Sequence, residues 1–103
     1  MGMLRLTGGE FRGRSIHTPG HDQTRPTQAK LRQALFNSLQ TVITDATLLD
    51  LFAGAGTLGF EALSRGASHV TFVESNRTVA RLIEKNAAEL NVRDRVRVVV
   101  DSV

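Results

Sequence analysis

The run Leu48-Leu49-Asp50-Leu51-Phe52-Ala53-Gly54-Ala55-Gly56-Thr57-Leu58-Gly59 joins an apolar stretch, one carboxylate and three glycines at fixed spacing. It reads as a buried strand that ends in an acid, turns through glycines and opens a helix. Such a turn brings backbone N–H groups close to a ligand. Glu74 closes the next apolar run and Asp101 the one after, so each of three apolar runs is followed by or ends in a carboxylate. Acceptor-only groups at strand ends suit ribose hydroxyls and amino groups. The expected cofactor-binding set is Asp50, Phe52, Ala53, Gly54, Gly56, Glu74, Ser75 and Asp101.

Two cofactor chemistries compete for this pattern. Gly54-x-Gly56-x-x-Gly59, with Glu74 twenty residues after Gly54, matches the dinucleotide fingerprint. Asp50 argues against it, because a carboxylate at the mouth of a pyrophosphate-binding turn repels the phosphates. S-adenosylmethionine has no phosphate and carries an ammonium and a sulfonium, so a carboxylate there is favourable. The methyl donor is the favoured reading and a nicotinamide cofactor the alternative. For Glu74 the competing role is a charged cap on the helix that starts near Asn76.

The elements around these residues follow from periodicity. Residues 3–18 read as a hairpin, with Leu4, Leu6 and Ile16 alternating and Gly8-Gly9 as the turn. Pro26 ends a loop and Thr27 is placed to cap a helix over 28–40. In that helix Leu31, Leu35, Phe36 and Leu39 make the apolar face, with Lys30 and Arg32 facing solvent. From Ala46 the pattern is strand 47–51, helix 57–65 ending at Gly66, strand 69–74, helix 76–90 ending at Asn91, and strand 96–100. Right-handed crossovers set the three strands parallel in the order 3-2-1. The expected fold class is α/β, a Rossmann-like partial parallel sheet preceded by a hairpin and helix. Residues 1–45 form a basic N-terminal part and residues 46–103 the first half of a cofactor-binding domain.

Composition narrows the function classes. The 103-residue chain has no cysteine, which excludes disulfides and thiolate metal sites, and its three histidines are too scattered to suggest a metal site. No apolar run is long enough for a membrane span, and a cytoplasmic protein is expected. The net charge of +3 is uneven: residues 1–40 carry six basic and two acidic groups, the remainder seven and eight. Positive charge concentrated in one segment points to a polyanionic partner.

The residues also carry a family resemblance. Leu4-Arg5-Leu6-Thr7-Gly8-Gly9, Arg12-Gly13-Arg14, Thr24-Arg25-Pro26-Thr27, Arg32 and Leu35-Phe36-Asn37 lead into the glycine turn. Leu58-Gly59-Phe60-Glu61-Ala62-Leu63-Ser64-Arg65-Gly66-Ala67 and Phe72-Val73-Glu74 follow it. The chain resembles the N-terminal half of the bacterial 16S rRNA guanine-N2 methyltransferases, which have a class I methyltransferase fold. The resemblance implies S-adenosylmethionine as cofactor and 16S rRNA or a small-subunit particle as partner. Arg12, Arg14, Arg25, Thr27 and Arg32 are the implied nucleic-acid-binding residues. Arginine forks suit phosphates, and the alternative for Arg25 and Arg32 is a structural ion pair between the N-terminal segment and the sheet. Asn37 is expected either to support the cofactor pocket or to be a surface amide.

Such enzymes hold the target amine with an Asp/Asn-Pro-Pro-aromatic motif. This sequence has two prolines, Pro19 and Pro26, and neither Tyr nor Trp, so it holds no catalytic residue of that kind. A fragment of a longer enzyme is the expected status, and a binding-only module for RNA or cofactor is the alternative. Strand 47–51 would be left as an apolar edge, from which self-association is expected.

Overall fold

In the structure, a computed structural model, residues 2–19, 26–51, 53 and 56–102 are described. An antiparallel hairpin comes first, β1 (Gly2–Arg5) and β2 (Ser15–Thr18), followed by helices α1 (Pro26–Ser38) and α2 (Gln40–Ile43). Then β3 (Thr47–Asp50), α3 (Thr57–Ser64), β4 (His69–Glu74), α4 (Arg77–Glu89) and β5 (Val96–Val100) alternate. The three strands are parallel in the order β3-β4-β5. This is the anticipated 3-2-1 half-sheet of a Rossmann-like fold.

The helices stop where their sequences say. Gly66 takes a positive φ of 109° after α3, and the Ala67 amide bonds back to the Ala62 carbonyl. Asn91 does the same after α4 with φ 59°, and the Val92 amide reaches the Ala87 carbonyl. Phe60, Leu63, Val70, Phe72 and Ile83 form the centre of the core. The rings of Phe60 and Phe72 meet at 5.0 Å between centroids. Gly59 lets α3 approach β4 so closely, since a Cβ there would lie 2.1 Å from the Phe72 ring.

The N-terminal segment shares this core through Leu6, Phe11, Ile16, Phe36 and Ile43. Gly8-Gly9 is not a tight strand-to-strand turn, which corrects the expectation. Residues 6–14 form a longer connection, closed by Leu6 N–H to the Arg14 carbonyl and Gly13 N–H to the Leu6 carbonyl. Gly9 instead meets the end of α3: its φ is 82°, and a Cβ would lie 1.9 Å from the Ser64 carbonyl oxygen. On the other side, Asn86 of α4 imitates a strand. Its Oδ1 accepts from His17 N–H and its Nδ2 donates to the His17 carbonyl.

Helix α1 begins at Pro26, so Thr27 lies within its first turn rather than at its cap. Proline suits that position because its φ is already helical and its missing N–H has no intrahelical partner. The buried face also differs from the expected one. Arg32 and Phe36 point inward, while Leu31 and Leu35 are exposed, Leu31 at 66%. The cause is Glu61, fully buried on α3. Its carboxylate accepts from the amides of Thr7 (3.1 Å) and Gly8 (3.2 Å) and from the Nε atoms of Arg32 and Arg65 (3.1 Å each). Arg32 continues to the Arg5 carbonyl, and Arg65 to Asn37 Oδ1 and Thr7 Oγ1. Arg32 is therefore in the structural ion pair, not facing solvent.

Burial alone would raise the Glu61 pKa, but the Thr7 amide and the side chains of Arg65, Thr7 and Arg32 hold it below the ordinary carboxylate value. A depressed folded pKa gives stability that is present above the unfolded value of about 4.5 and is lost as pH falls through the folded one. Thermal unfolding followed from pH 7 to pH 3 will show the midpoint dropping in the acid range. Glu61→Ala, which strands two buried guanidinium groups, will cost about 3–5 kcal/mol at neutral pH and flatten that dependence.

Candidate functional site

The parallel sheet delivers its carboxylates to one end. Asp50 ends β3 and Glu74 ends β4, while Asp101 follows β5 with its amide bonded to the Glu74 carbonyl (3.1 Å). The Ala53 amide bonds to the Val73 carbonyl (3.2 Å), which folds the chain after β3 over the end of β4. Asp50, Ala53, Glu74, Ser75 and Asp101 thus come together where the strands finish. Phe52 and Gly54 lie outside the described residues.

Gly56 caps α3 in the left-handed conformation, φ 84°. A Cβ there would stand 2.8 Å from the Phe60 ring and 3.2 Å from Phe72. Both conformation and space demand glycine, so the turn into α3 is locked against the core. The next helix is capped by Asn76, whose Oδ1 accepts from Thr78 and Val79 N–H. Glu74 itself accepts from Asn76 N–H through Oε2 (2.8 Å). This holds the Glu74 carboxylate at the start of α4, where the competing helix-start role put it, beside the side-chain cap made by Asn76.

The donor set tests what this end can hold. Half-buried Asp50 and Glu74 and exposed Asp101 place three carboxylates at the end of the sheet from which α3 and α4 start. That arrangement fits a ligand with hydroxyls, an amino group and positive charge, and opposes a phosphate. Beside Asp50 lies an apolar groove of about 500 Å³, walled by Leu35, Leu49, Leu51 and Leu58.

The basic residues are distributed otherwise. Arg14 Nη2 donates to the Glu89 carbonyl at the end of α4, and Glu10 N–H to the Ser64 carbonyl at the end of α3. In a βαβ unit those helix ends stand where strands begin. Exposed Arg12 and Arg14 are therefore about one strand length, roughly 15 Å, from the carboxylates. Helix α1 runs alongside α3, with Arg32 opposite Glu61 and Asn37 opposite Arg65. Its N-terminal end and Lys30 thus lie toward the carboxylates. Arg25 and the side chain of Thr27 are outside the described residues. Arg32 is corrected from an RNA-facing to a buried group, because Glu61 and the Arg5 carbonyl take its donors. Asn37 accepts from Arg65 (2.6 Å) and takes no part in the cofactor end. Sequence reasoning passed over Glu61 and Arg65, although a Glu–Arg pair at i, i+4 on an otherwise apolar helix was the available signal.

Comparisons with known proteins identify the chain's relatives. A family model described as "Conserved hypothetical protein 95" matches residues 4–103. Ribosomal RNA small subunit methyltransferase D of Escherichia coli strain K12 is 47% identical over 89 residues, covering 86% of this chain and 45% of that protein. Its counterpart in Haemophilus influenzae is 44% identical, covering 86% and 46%. The solved structure of Escherichia coli yhhF superposes with a TM-score of 0.86 at 42% identity, covering 98% of this chain and 54% of that one. The chain spans about half the length of the curated relatives it matches. The C-terminal domain of precorrin-6Y C5,15-methyltransferase from Rhodobacter capsulatus shares the fold with a TM-score of 0.69 at 19% identity.

Gly56→Ala will test the locked turn. Left-handed strain of about 1–2 kcal/mol and a clash with Phe60 of about 1–3 kcal/mol add together. A lowered unfolding midpoint is expected by calorimetry.

Proposed function

The chain belongs to the family described as Conserved hypothetical protein 95, and from that premise we propose that it is the cofactor-binding half of an S-adenosylmethionine-dependent methyltransferase acting on the exocyclic N2 amine of a guanine in 16S rRNA. The observation that carries the cofactor is the set of carboxylates at the ends of three parallel strands, beside the glycine-capped start of α3. Two further supports are the names of the rRNA methyltransferase relatives and a neighbour, Trypanosoma brucei PRMT1, solved with AdoHcy at 25% identity and a TM-score of 0.60.

In this reading Glu74 accepts from both ribose hydroxyls, held in place by Asn76 N–H. Asp50 faces the ammonium directly or through water, and Asp101 meets the adenine amino group. Phe52, Ala53, Gly54, Gly56 and Ser75 are the remaining residues proposed to bind the cofactor. The cofactor supplies an electrophilic methyl on a sulfonium. The target amine is a weak nucleophile, because its lone pair is delocalised into the base, so its presentation governs the rate. No Pro-Pro-aromatic sequence is present to present it. We therefore read the chain by itself as binding without turnover.

The RNA partner, 16S rRNA or the small-subunit particle, would meet two separate surfaces. One is on α1, where Lys30 is exposed toward the strand-end carboxylates, and Arg25 and Thr27 are its proposed neighbours in sequence. Arg12 and Arg14 would grip backbone phosphates a strand length away. Guanidinium contacts of that kind set affinity and register rather than sequence choice.

Calorimetric titration with S-adenosylmethionine will show saturable binding, and NADH will show none. Glu74→Ala removes charge-assisted hydrogen bonds worth roughly 1.5–3 kcal/mol, so affinity will fall about 10- to 100-fold. No binding by the unmodified chain, or an unchanged affinity in the variant, would reject this assignment of the site.

A further inference from the structure

We infer that Glu61 is a positioning residue for RNA, one carboxylate that fixes both RNA-facing segments on the helix carrying the glycine turn. The inference rests on the function proposed above. Glu61 lies four residues beyond the start of α3, and its carboxylate bonds to Thr7, Gly8, Arg32 and Arg65. Its two oxygens accept from the amides of Thr7 and Gly8, at the root of the 6–14 loop that carries Arg12 and Arg14. They also accept from Arg32 of α1, the helix that carries Lys30 and follows Arg25. Arg65 closes the cluster by reaching Thr7 and Asn37 from the same helix as Glu61.

Stability alone does not account for this arrangement. A buried ion pair replaced by apolar groups of the same shape is often no less stable, whereas its directional bonds fix a geometry. Helix α1 shows the fixing directly, since it exposes Leu31 and Leu35 while burying Arg32. The inward face carries Arg32 beside Phe36, with Leu39 packed against the core. The Glu61 contacts therefore decide which face of α1 meets α3 and where its N-terminal end points. The same carboxylate decides where the 6–14 loop stands. A group with this reach has a specific consequence: loosening it should disturb RNA binding more than cofactor binding.

The test is Glu61→Gln in the full chain, read three ways at one fixed salt concentration. Affinity for a labelled structured RNA stem-loop is expected to fall about tenfold, and affinity for S-adenosylmethionine to stay within about threefold. Amide exchange at Thr7 and Gly8 will quicken, while Val70 and Phe72 at the sheet centre keep their protection. Arg32→Lys keeps the charge and loses the fork, so it will repeat the split with a smaller loss, and it decides the matter if Glu61→Gln does not fold. Parallel loss of both affinities would reduce Glu61 to a general stabiliser and overturn the inference. Unchanged RNA affinity in a variant whose Thr7 and Gly8 amides are freed would overturn it too, leaving the proposed function intact. An unmodified chain that binds S-adenosylmethionine but no RNA overturns the inference together with the RNA part of that function.

Discussion

The buried carboxylate of Glu61 is the constraint on which the rest of the structure hangs. A charge with no solvent exposure is tolerated only when it is paired and its lone pairs are filled. Here two backbone amides and two guanidinium groups fill them, drawn from the hairpin connection, α1 and α3 itself. Each guanidinium is in turn satisfied at its far side, by the Arg5 carbonyl or by Asn37 and Thr7. Arg65 also lies over the Phe36 ring at 5.7 Å, joining the polar cluster to the apolar core. Three segments distant in sequence thereby acquire one relative placement. Apolar packing by Leu6, Phe11 and Ile16 would tolerate sliding that these bonds do not.

The carboxylate end of the sheet obeys a different logic, set by parallel strands. Because β3, β4 and β5 run the same way, the residues after each strand gather at one end without any long-range pairing between them. Hydrogen bonds there are local: Asp101 N–H to the Glu74 carbonyl, Ala53 N–H to the Val73 carbonyl, Asn76 N–H to the Glu74 carboxylate. Two glycines complete it for unlike reasons. Gly56 is needed for its left-handed backbone, and Gly59 for the close approach of α3 to Phe72. Only the first shapes the entry into α3.

This division explains what was legible in the sequence. The half-sheet, its order and its helix ends follow from local pattern, and Gly66 and Asn91 stand where such stops are expected. Asp50 and Glu74 were readable because strand ends are predictable once the strands are. The Glu61 cluster was legible only at Arg65, four residues on, because its other partners, Arg32 and the amides of Thr7 and Gly8, lie 29 and 53–54 residues away. The same cause misled the reading of α1. Helical periodicity finds the apolar residues, Leu31, Leu35, Phe36 and Leu39, but cannot say which of them a buried arginine will displace. Gly8-Gly9 looked like a hairpin turn because glycine pairs usually are, whereas Gly9 is required by the carbonyl of Ser64, far along the chain.

The surface left uncovered has a physical meaning that the ion pair helps to explain. Leu49 on β3 pairs in register with Thr71, and Thr71 with Arg97, so these three share the sheet face opposite buried Val70 and Phe72. Leu49 is 61% exposed, and Leu35, Leu51 and Leu58 continue the apolar surface around the β3 edge. Parallel strands are normally covered on both faces, with helices on each side. Among the described residues, that face and the β3 edge meet at one strand and form a single continuous apolar surface. By turning Arg32 inward, Glu61 also turns Leu31 and Leu35 outward beside that edge. The buried charge and the exposed leucines are therefore two sides of the same rotation of α1. The cost of leaving those leucines in water, about 1.5–3 kcal/mol per side chain relative to burial, is recovered only when something packs against them. The ion pair thus sets the shape that a packing partner must meet as well as the shape of the chain itself.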